Sequence, residues 1–228
     1  MTPHLKWELQ TNRLCSQASQ RFGLLRRNCY FVKDKRKARV LYLTMVRSIF
    51  QHCSIIWRPT TITLNEKVER IQKKAMKWIL GEEGLSYSCN NLYLQKCKEL
   101  KILPMKYRFE LVDLLALHKI IHGISPISLP EYLKFFSGRS RLRFCHLDNL
   151  SLVSDLVPNT TAASSRSSNA FANSFFYRSH LLWNEIPIEL REVECPKRFK
   201  SRLKKYFFDK ILRTSPNNDD ESLGEDLF

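Results

Sequence analysis

Acid is what this chain is short of. Its 228 residues hold 22 Asp and Glu against 38 Lys and Arg, a formal net charge of +16. Much of the acid sits at one end. Residues 213–228 carry one base, Arg213, against Asp219, Asp220, Glu221, Glu225 and Asp226, which sums to −4 and leaves +20 on residues 1–212. The scarcity removes one class of chemistry. Phosphoryl transfer by two metals needs carboxylates converging on ions about 4 Å apart. The only Asp-Asp pair, Asp219-Asp220, stands in a polar acidic stretch with no flanking strands. No catalytic carboxylate set is expected, and with it no resident metal, no cofactor and no enzymatic activity. Glycine is also sparse: six, spread singly, build no phosphate-cradling loop. Cysteine is scattered, at 15, 29, 53, 89, 97, 145 and 195, with no C-x-x-C and no neighbouring histidine pair. An odd count, irregular spacing and no secretory leader fit reduced thiols in an intracellular protein. No apolar run reaches the roughly 18 residues of a membrane span, so no membrane partner is expected. Basic clusters such as residues 33–37 permit nuclear import.

What is present is an ordinary globular balance, 43% apolar and 26% charged, arranged mostly at helical period. Leu9, Leu14, Ala18, Phe22 and Leu25 predict a helix over 5–25. Tyr42, Val46, Ile49, Phe50, Cys53 and Trp57 predict one over 39–57, closed by Pro59, with Cys53 as a small core residue. Thr63 and Glu66 have the spacing of a capping box. The helix they would open bears Leu64, Val68, Ile71, Ala75 and Ile79 on one face and stops at Gly81. A short helix follows near 91–100, then a long one from Pro104 to His122, ended by Gly123. Between Ser125 and Asn169 the composition turns to Pro, Gly, Ser and Thr, and residues 141–147 partly alternate like a strand. A short β-hairpin and a long arm laid across the surface both fit. Helical pattern returns over 168–185, and Pro196 opens a last helix with Phe199, Leu203, Tyr206, Phe207 and Ile211 on one face. The expected fold is mainly α: a helical region over 1–124, a loop-rich connector over 125–167, a helical subdomain over 168–212 and a disordered acidic tail over 213–228.

Three features bear on function. His118 and His122, one turn apart in HKIIH, have a spacing that suits a metal. Yet they lack the glutamate of zinc hydrolases and a third ligand, and packing at the helix end is the simpler account. Phe175, Phe176, Tyr177 and Trp183 are candidates to stack bases or to fill a core. Basic residues at helical pitch carry the most weight. Lys67, Arg70, Lys74 and Lys77 recur at 3, 4 and 3, and Lys197, Arg198, Lys200, Arg202, Lys204 and Lys205 crowd the polar face of the last helix. With Arg26, Arg27, Arg139, Arg141 and Arg143 they form the candidate nucleic-acid-binding set. Such residues contact successive phosphates and release counterions. RNA, DNA or an RNA–DNA hybrid is the expected partner.

Several short runs together resemble the segment that follows the polymerase domain in reverse transcriptases of non-LTR (LINE-type, jockey-like) retrotransposons. The family's "lgfLRRN" is matched by Phe22 to Asn28. Its "LYxxLVRxxxxYxxxxWxP" is matched by Leu41, Tyr42, Val46, Arg47, Trp57 and Pro59, with His52 in place of tyrosine. Val68, Gln72, Lys73, Ala75 and Gly81 match "lExvQrrAxkxixG". Leu103, Pro104, Arg108, Lys119, Ile120, Ile121, His122 and Gly123 match "LPxlxxRrxxxxlxxlyKiihG". Arg178 to Leu190 resembles "xLWNxLPxxl", and Phe199 to Lys204 resembles "FKxxLkxyl". The resemblance runs in order over about residues 5–210. It implies a thumb-like bundle and a non-catalytic fragment of an RNA-directed DNA polymerase. The parent's aspartates, magnesium, palm and fingers would lie upstream of Met1. A basic element of the family is replaced by Val157 to Ala163, which has no positive charge. A domesticated nucleic-acid or chromatin-binding protein, and a structural remnant that binds nothing, are the alternatives of different class.

Overall fold

The computed structural model describes residues 7–81, 90–135, 150–154 and 171–214. The Arg141–Leu147 alternation, the Arg139, Arg141 and Arg143 cluster, the Val157–Ala163 stretch and the acidic residues from Asp219 on lie outside that set. The described chain is mainly helical, as the periodicity predicts. α1 is Glu8–Asn28, α2 Lys35–Leu41, followed without interruption by a π-turn at Tyr42–Val46 and by α3, Arg47–Gln51. α4 is Ser54–Trp57, α5 Ile62–Leu80, α6 Asn90–Glu99 and α7 Met105–Ile121. Two three-residue strands pair antiparallel, β1 Leu133–Phe135 with β2 Leu152–Ser154, in register Leu133 to Ser154. α8 is Phe175–Glu185, α9 Ile188–Arg191 and α10 Pro196–Thr214. No helix among the described residues is long and apolar enough to cross a membrane.

Most helix ends follow from local chemistry. Asp34 accepts from the Arg36 N–H at 2.8 Å and starts α2. Gly81 (φ 73°) and Gly123 (φ 64°) stop α5 and α7 in the left-handed region, where a Cβ is strained. Past α7, Ile124 N–H reaches the Lys119 carbonyl at 2.8 Å and Gly123 N–H that of Ile120 at 3.1 Å, closing the last turn. Ser174 caps α8 through the Tyr177 N–H at 3.4 Å.

Four sequence expectations are corrected. The 39–57 stretch is not one helix. A wide turn closes from Arg47 N–H to the Tyr42 carbonyl, and Cys53 adopts φ 51°, turning the chain between α3 and α4. That turn leaves Cys53 exposed and buries Ser54 instead, so Cys53 is no core residue. Thr63 and Glu66 form no capping box, because α5 begins at Ile62 behind Thr61, whose side chain makes no cap bond. Leu9, expected on the apolar face of α1, is 82% exposed, and the polar Thr11 is buried with its hydroxyl donating to the Trp7 carbonyl at 2.9 Å.

Two apolar cores result. The first gathers α1 to α6 around Phe22, Tyr42, Phe50, Trp57, Val68 and Met76. The second gathers β2, α8, α9 and α10 around Trp183, Phe199, Leu203 and Phe207. α7 belongs to both: Met105 and Phe109 enter the first, and Leu111, Leu114 and Leu117 the second. A boundary near residue 124 therefore does not separate the cores, since α7 is the wall they share.

Buried polar side chains tie the elements together. The Tyr42 hydroxyl donates to Gln72 Oε1 at 3.1 Å, and Gln72 Nε2 donates to the Tyr93 hydroxyl and the Leu103 carbonyl, each at 3.0 Å. Tyr93 donates in turn to Glu69, whose other oxygen takes the Met105 N–H at 2.9 Å. Gln72 thus satisfies its acceptor and both donors, as a buried amide must. Asp113 is a second node. Arg58 Nη1 and Arg178 Nε donate to its Oδ2 at 2.7 and 2.9 Å, and Arg178 also donates to the carbonyls of Asn173 (2.7 Å) and Ile55. α4, α7 and α8 are joined there. Asn184 exchanges two bonds with the Leu152 backbone, at 2.8 and 3.0 Å, and Trp183 Nε1 donates to the Leu150 carbonyl at 2.9 Å.

Candidate nucleic-acid interface

α5 presents its stripe as the spacing predicts. Leu64, Val68, Ile71, Ala75 and Ile79 are buried, while Lys67, Arg70 and Lys74 are exposed and Lys77 is half-buried. α1 lies alongside in the same direction. Lys67 Nζ donates to Asn12 Oδ1 at 3.0 Å near one end, and Phe22 meets Trp78 edge-on, centroids 6.1 Å apart, toward the other. This parallel pairing carries the last turn of α1, with exposed Arg26 and Arg27, to the Lys77 end of α5. Arg26 there shares a surface cleft with Lys33, Lys35 and Trp78.

α10 presents the second basic face. Phe199, Leu203, Phe207 and Ile211 are buried against α7 and α8. Tyr206, predicted on the same face, is only half-buried, its hydroxyl 3.5 Å from the Glu185 carbonyl. Lys197, Arg198, Lys200, Arg202 and Lys205 are exposed. Two of these cations stand in the first turn, where the helix dipole disfavours positive charge, and no acid accompanies them. Backbone N–H groups of Arg198 and Lys197 hold the exposed Cys195 thiol below its ordinary pKa, so this helix end already favours an anion. Lys204 differs from its neighbours. It is half-buried, lies 5.7 Å over the Phe208 ring, and has its pKa lowered by burial and by the charges of Arg39, Arg47, Arg108 and Lys101.

The two basic helices sit on different cores, α5 with α1 on the first and α10 on the second, and Arg26 lies beside the Lys77 end of α5. Among the described residues, Lys67, Arg70, Lys74, Lys197, Arg198, Lys200, Arg202 and Lys205 make no ion pair. The ion-paired bases there include Arg58, Arg178, Lys35, Lys96 and Lys210.

The aromatic candidates pack. Trp183 is 1% exposed at the centre of the second core, and Phe175, Phe176 and Tyr177 are half-buried, Tyr177 edge-on to His180 at 5.1 Å. Aromatics that do face outward include Tyr30 and Phe31, 80% and 68% exposed and packed edge to face at 5.8 Å, between Arg27 and Lys33. Their place in a basic, proline-free run after a helix was the readable signal for them. The histidines pack as well. His118 is buried, stacks on Phe199 at 4.2 Å and donates from Nε2 to the Val193 carbonyl at 2.6 Å, with His122 4.3 Å away.

Comparison with protein-family models, curated proteins and solved structures finds no match to this chain.

Proposed function

We propose that this chain is the nucleic-acid-gripping region of a LINE-type reverse transcriptase, holding template–primer duplex through its backbone and catalysing no nucleotide incorporation by itself. One observation carries the reading: two amphipathic helices, α5 and α10, each bury their apolar face and expose cations, Lys67, Arg70 and Lys74 on the one and Lys197, Arg198, Lys200, Arg202 and Lys205 on the other, that make no ion pair among the described residues. Unpaired, exposed cations at helical pitch suit a row of phosphates, which fix position and helix shape without reporting sequence. Residues quoted for the resemblance fit a coherent architecture. Tyr42, Gln72, Arg178 and Trp183 make buried bonds that join the elements. Magnesium would belong to the parent's upstream carboxylates. Fluorescence anisotropy of the 228-residue chain with labelled RNA–DNA hybrids of unrelated sequence tests the proposal. Similar affinities that fall steeply with salt are expected. No binding at low salt, or strong preference for one sequence, would overturn it.

A further inference from the structure

The turn that joins α1 to α2 is held on both sides and bare at its tip. Cys29 N–H donates to the Leu25 carbonyl at 2.9 Å, and Val32 N–H to the Cys29 carbonyl at 3.1 Å. Cys29 and Val32 pack against the first core, which leaves Tyr30 and Phe31, the residues between them, in water. The two rings meet edge to face, so each braces the other in its outward place. Tyr30 is also one wall of a surface cleft of about 440 Å³ where the ends of α1 and α5 meet. Half-buried Trp78 lines it as well, and Val32, Ile79 and Leu80 add apolar surface. That volume lies in the range of small-molecule sites, with room for a single nucleotide.

Cations line the same cleft. Arg26, Lys33 and Lys35 all border it, and residues 26–37 hold six bases against one acid, Asp34. Asp34 is turned to the start of α2, where it accepts the Arg36 N–H. Lys35 reaches Glu99 at 3.6 Å, but both side chains are exposed, so water and salt weaken that pair. Lys33 makes no ion pair among the described residues. Arg26 has a local reason for its place, since the last turn of a helix favours a cation. Lys35 opens α2, where the helix dipole disfavours positive charge, and Lys33 lies outside both helices, so neither has that reason. An exposed ring, apolar lining and weakly held cations suit an unpaired nucleotide, which needs a face for its base and charge for its phosphates. A membrane surface would need a projecting apolar face, whereas Val32, Ile79 and Leu80 are recessed.

We propose that this cleft takes one unpaired nucleotide of a single-stranded extension, its base stacked on Tyr30 and its phosphates held by Lys33 and Lys35. The assignment rests on the nucleic-acid-gripping reading and deepens it. Lys74, the last exposed cation of the α5 stripe, stands about one helical turn before Trp78, so the duplex grip leads to the cleft. Stacking uses the face that every base has, so the site does not read sequence.

The test uses the full chain and its Tyr30→Ala, Tyr30→Phe and Lys33→Gln variants. Both positions are exposed, so each variant should melt as the wild type does by circular dichroism. Anisotropy compares three labelled RNA–DNA hybrids: blunt, extended by single-stranded DNA, and extended by the same number of abasic units. The two extensions carry equal charge and differ only in their bases. Wild type should bind the extension with bases about tenfold more tightly than the abasic one. Tyr30→Ala should lose that preference and Tyr30→Phe should keep it. Lys33→Gln should lower the salt slope by about one on both extensions and leave it unchanged on the blunt hybrid. Equal wild-type affinity for the two extensions, or a base preference that survives Tyr30→Ala, overturns the site while binding of the blunt hybrid leaves the gripping function standing. A slope lowered equally on the blunt hybrid makes Lys33 part of the duplex grip and overturns its place in the site. Vesicles of phosphatidylcholine and phosphatidylserine supply the other arm. Vesicle binding that falls in Tyr30→Ala with the base preference unchanged gives the ring to a membrane surface and overturns the site. If the wild type binds no hybrid, the gripping function falls, and the site with it.

Discussion

His118 shows how a single ring reports its surroundings. A carbonyl only accepts, so the Val193 contact fixes the proton on Nε2, and the buried Nδ1 has no partner among the described residues. Protonating Nδ1 would bury an unpartnered cation, and burial, reinforced by His122, holds the pKa below the ordinary histidine value against the Val193 bond. The sign follows. The unfolded chain takes up the proton first, so the stability is present above about pH 6.5 and declines as pH falls below it. His180 is shifted in the same direction by burial. Urea midpoints should therefore drop from pH 7.5 to pH 5, and His118→Gln, which keeps a donor for Val193, should flatten part of that drop. An unchanged pH dependence would remove His118 as a cause. The packing of this histidine was legible in HKIIH, which lacks a third ligand. The outward turn of Cys53 was not, since its cause is a left-handed backbone at a residue type that seldom adopts one.

Among the elements, α5 and α10 were readable because two periods coincide on each, an apolar one that finds a core and a basic one that does not. The 39–57 stretch misled for the opposite reason. Its apolar spacing fits a continuous helix, and only tertiary packing reveals the wide turn and the break before α4. Also unreadable were the long-range partners of charged residues. Arg58, Asp113 and Arg178 are far apart in sequence, yet they form the joint between α4, α7 and α8. Asp113 is 1% exposed and its two arginines nearly so enclosed. Asp113→Ala leaves Arg178 without its carboxylate and Arg58 with only Glu110, at 3.4 Å, and a loss of about 3–5 kcal/mol in unfolding free energy is expected. Denaturant melts check it. A loss under 1 kcal/mol would mean that the joint is held by apolar packing alone.

At the scale of the whole molecule, two cores share one wall, α7, and each turns a basic helix face outward. Charge asymmetry in the sequence raises the expectation of a polyanionic partner, but composition does not tell a grip from a merely solvated surface. The α5 stripe decides between them. Lys67, Arg70, Lys74 and Lys77 can all become glutamine with little change in helix propensity, and the buried Leu64, Val68, Ile71, Ala75 and Ile79 face is untouched. The decisive measurement is the slope of log affinity against log salt for an RNA–DNA hybrid, by anisotropy, for the wild type and this quadruple variant. The account predicts a folded variant whose slope is smaller by about one per lysine or arginine removed. A folded variant with the wild-type slope would contradict it.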